Sequence, residues 1–134
     1  MALQFSTTYR NNMLDSFETT VSTSAKLEIF SGSAPANCGT ADSGTKLVSM
    51  TLPADYMANA SGGSKALSGS WSAAAIATGT AGYFRIKDSA GTTCHMQGTV
   101  TATGGGGDMT LDNTSIATGQ TVTVTTFTLT APGA

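Results

Sequence analysis

From Ala25 to Thr130 the apolar residues fall mostly at every second position, the period of half-buried strands. "AKLEIFSG" sets Ala25, Leu27 and Ile29 on one side, and "KLVSMTLP" does the same with Val48, Met50 and Leu52. In "KALSGSWSAA" Leu67, Gly69 and Trp71 share a face, with the glycine leaving room for the only tryptophan. "GYFRIKDSAGTTCHMQGTV" reads as a hairpin: Phe84 and Ile86 point inward, "DSAG" turns, and Cys94 and Met96 return. Met109 and Leu111 mark a short strand before the last one. That last strand, "QTVTVTTFTLT", changes phase. Val122 and Val124 are even, Phe127 and Leu129 odd, so a regular strand would turn the second pair away from the first. Either a β-bulge near Thr125 and Thr126 restores the phase or the strand is buried on both sides.

One segment has the helical period. In "TTYRNNMLDSFETTV" Met13, Leu14, Phe17 and Val21 form a stripe, while Arg10, Asp15, Glu18 and Thr19 lie off it. This predicts a helix over about residues 8–20, capped by Ser6 or Thr7. The stripe serves the domain's own core or a partner, and packing in cis is the commoner use. Between the strands, "SAPANCGTADSG" is turn chemistry, and "DYMANASGGSK" is a loop or short helical turn whose apolar content is Tyr56 and Met57. The pattern therefore predicts an all-β fold: a β-sandwich or jelly roll of seven or eight short strands over 25–134, preceded by an N-terminal segment, 1–24, that holds the helix. Strand order is not fixed by alternation. No repeat at solenoid or propeller period is present.

Composition narrows the function more than the fold. At 134 residues the chain has room for one domain, large enough to fold without a disulfide or a metal. Charged residues are only 10%, six Lys or Arg against eight Asp or Glu, which leaves no basic face for nucleic acid and no polybasic anchor for a membrane. Threonine, serine, alanine and the sixteen glycines must cover the surface, which suits permanent packing in an assembly and equally a secreted β-domain. The start "MALQFSTTYRNN" lacks the pattern of a secretory signal. Synthesis in a cytoplasm without export is the expectation.

Cys38 and Cys94 stand far apart and outside any C-x-x-C spacing, so a redox or zinc role is not indicated. Free thiols are the commoner state in a cytosolic product. Pairing is the alternative, and it would restrict the unfolded chain by about 4 kcal/mol.

Candidate chemistry is sparse. His95 is the only histidine and no serine occupies a G-x-S-x-G elbow, so a strand histidine is expected over a catalytic one. Gly104 to Gly107 lack the spacing and lysine of a phosphate loop and read as a turn. Asp108, Asp112 and Asn113 could offer oxygen to calcium, but their spacing is wrong and an Asx turn at "LDNTS" is the plainer reading. The acids are scattered and aromatics are 7% of the chain, which argues against a glycosidase cleft. Trp71, Tyr56 and Tyr83 would form either a small aromatic patch or part of the core. No catalytic, cofactor or metal residue is assigned.

The segments "YRNNMLDSFETTV", "LEIFSGSAPANC" and above all "TATGGGGDMTLDNTSIATGQ" resemble a family of small virion structural proteins of tailed bacteriophages. The resemblance spans most of the chain and carries over no site residues. It implies a phage virion component, made in the host cytoplasm, of the decoration or tail-associated kind. The expectation is a non-enzymatic capsid cement protein, a homo-oligomeric dimer or trimer on the major capsid protein or other virion proteins. The alternative is a tail or fibre module that binds a host glycan or receptor. Arg10, Met13, Phe17, Tyr56, Trp71 and Tyr83 are the expected subunit or partner contacts.

Overall fold

The last strand organises the molecule. The computed structural model describes residues 3–134. It has one helix, α1 (Thr7–Val21), and nine strands among the described residues: β1 (Lys26–Ser31), β2 (Lys46–Thr51), β3 (Ser64–Ala66), β4 (Ser72–Ala74), β5 (Gly79–Lys87), β6 (Cys94–Ala102), β7 (Met109–Leu111), β8 (Ser115–Ile116) and β9 (Thr121–Thr130). The expected mostly β chain with an N-terminal helix is present. Its strands join in one mixed path, β2-β1-β5-β6-β7-β9-β3, with β4 also on β9 and β8 on β5. The path curls until its edge meets β4's end, where the Ile76 N–H donates to the Leu47 carbonyl at 2.8 Å.

β9 resolves its phase slip with a bulge. Thr110 pairs with Thr126 but Leu111 pairs with Val124, so Thr125 is the extra residue. Val122, Val124 and Phe127 are all buried as a result. The Thr110 hydroxyl, buried beside the bulge, lies 2.6 Å from the hydroxyls of both Thr125 and Thr126. Along its other edge β9 pairs with β3 and then β4, one interrupted strand that stays bonded to β9 at Leu67 and Trp71 and leaves it over residues 68–70. The interruption corrects the expected role of Gly69. Its φ of +73° is what the loop needs, and the atom facing its missing Cβ is on Pro53, not Trp71.

β6 and β7 are parallel, paired from Val100 with Met109 to Ala102 with Leu111. Parallel neighbours ordinarily need a crossover of about a dozen residues or more. Here residues 103–108 suffice, because the chain doubles back over Thr101. The Gly107 N–H donates to the Thr101 hydroxyl at 3.0 Å, and a Cβ at Gly105 or Gly107 would come within 2.7 or 2.9 Å of the same side chain. The glycine run is thus a turn, as expected, of unusual tightness. A second bulge lies in β5, where Gly82 is the extra residue and a Cβ would overlap the Gly32 carbonyl.

α1 packs on its own domain. Ser6 caps it, its hydroxyl accepting from the Tyr9 N–H at 3.2 Å. Leu14 and Val21 are buried, and Phe17 leads an aromatic series through the core, Phe17–Tyr56–Trp71–Phe127–Phe84, with successive centroids 5.5 to 6.4 Å apart. The Trp71 indole N–H donates to the carbonyls of Tyr56 (3.0 Å) and Ser68 (3.2 Å).

Candidate functional site

Two clusters consume most of the chain's charge, and the pattern of apolar positions foretells neither. The first lies on the face of β1 and β5 opposite the aromatic core. Glu28, Phe30, Tyr83, Arg85 and Lys87 are buried there, although alternation puts them outward. The segment 32–45 covers them. Lys87 reaches Glu28 at 2.7 Å and Asp42 at 2.8 Å, Arg85 reaches Asp42 at 2.9 Å, and Lys46 reaches Glu28 at 3.0 Å. Arg85 also donates to Gln97 and to the Asn37 carbonyl, both at 3.1 Å, and the Tyr83 hydroxyl donates to the Ser43 carbonyl at 2.6 Å. Phe30 and Tyr83 stack at 4.9 Å, with the Lys87 ammonium 5.8 Å from the Phe30 centroid.

Burial works against charge on both Asp42 and Lys87. Their mutual attraction, with Arg85 helping Asp42 and Glu28 helping Lys87, outweighs it, so Asp42 titrates below the usual carboxylate range and Lys87 above the usual lysine range. The covering segment is also joined covalently. Cys38 and Cys94 form a disulfide with Cα atoms 5.3 Å apart, which replaces the expected free thiols. The ion pairs and hydrogen bonds hold the two cysteines at bonding distance, information that sequence spacing lacks.

The second cluster fastens α1. Lys65 of β3 is buried, yet its ammonium meets Asp15 at 2.7 Å, Glu18 at 2.8 Å and the Ala58 carbonyl at 2.9 Å. All three ammonium donors are used. Burial would lower the Lys65 pKa, but the hydrogen bonds it donates to the two carboxylates, with their negative charge, outweigh that and raise it. Asp15 is lowered, first by its bond to Lys65 and then by the Ala60 N–H. Asp15 and Glu18, which lie off the apolar stripe, thus fasten α1 to the sheet.

The six expected contact residues divide sharply. Tyr56, Trp71 and Tyr83 are at most 1% exposed, which removes them from any surface of the folded chain. Arg10, expected off the apolar stripe, is buried and donates to the Ala131 carbonyl at 3.0 Å, its guanidinium lying against Gly63. Met13 and Phe17 are half-buried and line a groove of about 370 Å3 with His95, Met96, Leu129 and Thr130. His95 is a half-buried strand residue in that groove.

One oxygen of each residue offered for calcium is engaged in the chain itself. Asp108 accepts from the Thr99 N–H (2.9 Å) and hydroxyl (3.0 Å), Asp112 from the N–H groups of Asn113 (3.0 Å) and Thr123 (3.1 Å), and Asn113 from the Ser115 N–H (2.9 Å), an Asx turn. Among the described residues no three metal-ligating side chains gather, and no helix is long and apolar enough to cross a membrane. No family model matches the chain, and neither a curated protein nor a solved structure does.

Proposed function

We propose that this protein is a non-enzymatic structural component of a tailed-phage virion, a capsid cement protein that oligomerises and sits on the capsid lattice. The observation that carries the reading is where the charge goes. Of the six basic residues, Lys46, Lys65, Arg85 and Lys87 are held in ion pairs and Arg10 is buried on a backbone carbonyl, which leaves Lys26 beside the Thr51 hydroxyl. What faces outward is then mostly small and hydroxylated, a surface with less hydration to lose than a charged one on packing against a neighbour. The curl of the sheet supports a sandwich-like reading of the fold, in which the two halves of the path face each other. The burial of Tyr56, Trp71 and Tyr83 takes from the tail-fibre alternative its receptor-facing aromatic patch, and the burial of Trp71 and Arg10 takes two expected subunit contacts from the cement reading, which leaves Met13 and Phe17.

Labelling the protein in purified particles and imaging heads and tails separately tests the proposal. Label spread over the head at lattice-like copy number is the expected result. Label confined to tails, or particles that lack the protein, overturns it.

A further inference from the structure

β7 is too short for the space it occupies. Its pairing with β6 begins at Val100 and its pairing with β9 at Phe127, so among the described residues no strand lies between β6 before Val100 and β9 beyond Phe127. A cleft of about 560 Å3 opens there, floored by Phe84 and Phe127 and flanked by Met96 and Leu129. It continues, through Met96 and Leu129, into the groove beside α1.

Both walls are strand edges whose inward hydrogen-bonding groups have no partner strand among the described residues. The Thr99 N–H donates to Asp108, away from β5, so alternation turns the backbone groups of Gln97 the same way, into the cleft. On β9, the Phe127 carbonyl accepts from the Leu67 N–H and the Ala131 N–H donates to the Gly63 carbonyl, both toward β3. The backbone groups of Thr128 and Thr130 therefore face the cleft. A solute that satisfies donors and acceptors on two parallel walls while burying an apolar floor is an extended peptide. The cleft's charge is that of Asp108 at the β7 end, which has no ion-pair partner among the described residues and lies where a cation would complement it.

We propose that the cleft between β6 and β9 docks an extended segment of another protein, lying in line with β7, apolar at alternate residues and ending in a lysine or arginine at Asp108. The segment runs in β7's direction, parallel to β6 and antiparallel to β9, and completes the interrupted sheet.

The peptide Val-Thr-Val-Thr-Val-Lys, labelled with a fluorophore at its N-terminus and amidated at its C-terminus so that the lysine is its charged group, is the probe, titrated into the full chain and read by polarisation, with amide hydrogen exchange followed on the same samples. Saturable binding is expected, with slowed exchange at Gln97, Thr128 and Thr130. Replacing the peptide's lysine by glutamate, or its threonines by proline, should weaken binding about tenfold or more, as should Met96→Lys. The exchange readout on the unmodified protein decides the matter even if Met96→Lys does not fold. No binding, binding indifferent to the prolines or to the lysine, or protection elsewhere overturns the proposal. So does self-association of the protein through these same amides, which would make a second copy the occupant.

Discussion

The Tyr56 hydroxyl is buried and has no hydrogen-bond partner among the described residues, while its ring sits between Phe17 and Trp71. Burial, with the nearby charge of Glu18, pushes its pKa up to about 12, so it stays a neutral phenol. An unsatisfied buried hydroxyl costs about 1–3 kcal/mol. Tyr56→Phe keeps the ring and removes that cost, so thermal unfolding should show a variant more stable than the parent, by up to about 3 kcal/mol. A loss of stability would mean that the hydroxyl is satisfied in solution. Single residues were legible where burial follows alternation: Leu27, Ile29, Phe84, Ile86 and Trp71 are all interior, as their pattern requires. Tyr83, Arg85 and Lys87 were not, because a strand's second face looks polar whether water or a clasping loop lies over it.

At the scale of elements, the bulge at Thr125 was readable because a phase slip is a local signal, and so was α1, whose stripe and cap lie within a single stretch of chain. The parallel pairing of β6 with β7 was not, since alternation assigns faces and never neighbours. Nor was the fastening of α1, which joins Asp15 and Glu18 to a lysine on β3 far along the sequence. That fastening is directly testable. The double variant Asp15→Asn, Glu18→Gln leaves the buried Lys65 ammonium without a countercharge, so urea unfolding should report a loss of about 3–5 kcal/mol. Lys65→Met should cost less, because both acids reach water at 44% and 24% side-chain exposure. Equal losses from the two variants would contradict this account of the cluster.

For the whole molecule, the two clusters set the pH range. Asp15 and Asp42 titrate below their ordinary range, so they add stability that is present at neutral pH and lost as pH falls through their folded values. Lys65 and Lys87 titrate above theirs, and their contribution is lost only as pH rises through the raised values. The melting temperature should therefore be nearly flat from about pH 5 to about pH 9 and fall beyond both limits. A transition centred near neutrality would show that another group governs stability.

The position of β9 also bears on how the protein is made. β9 pairs with β3, β4 and β7 and contributes Val122, Val124 and Phe127 to the core, yet it follows every one of those strands in the chain. A nascent chain emerging from the ribosome can form α1 and pair β1 with β2 early, but its interior stays open until Thr130 has cleared the exit tunnel. Closure then depends on contacts between residues far apart in sequence, the kind that forms slowly. Until that moment the aromatic interior and the edges of β3, β4 and β7 are exposed to the cell, and the growing chain must be kept from aggregating by dilution or by chaperones.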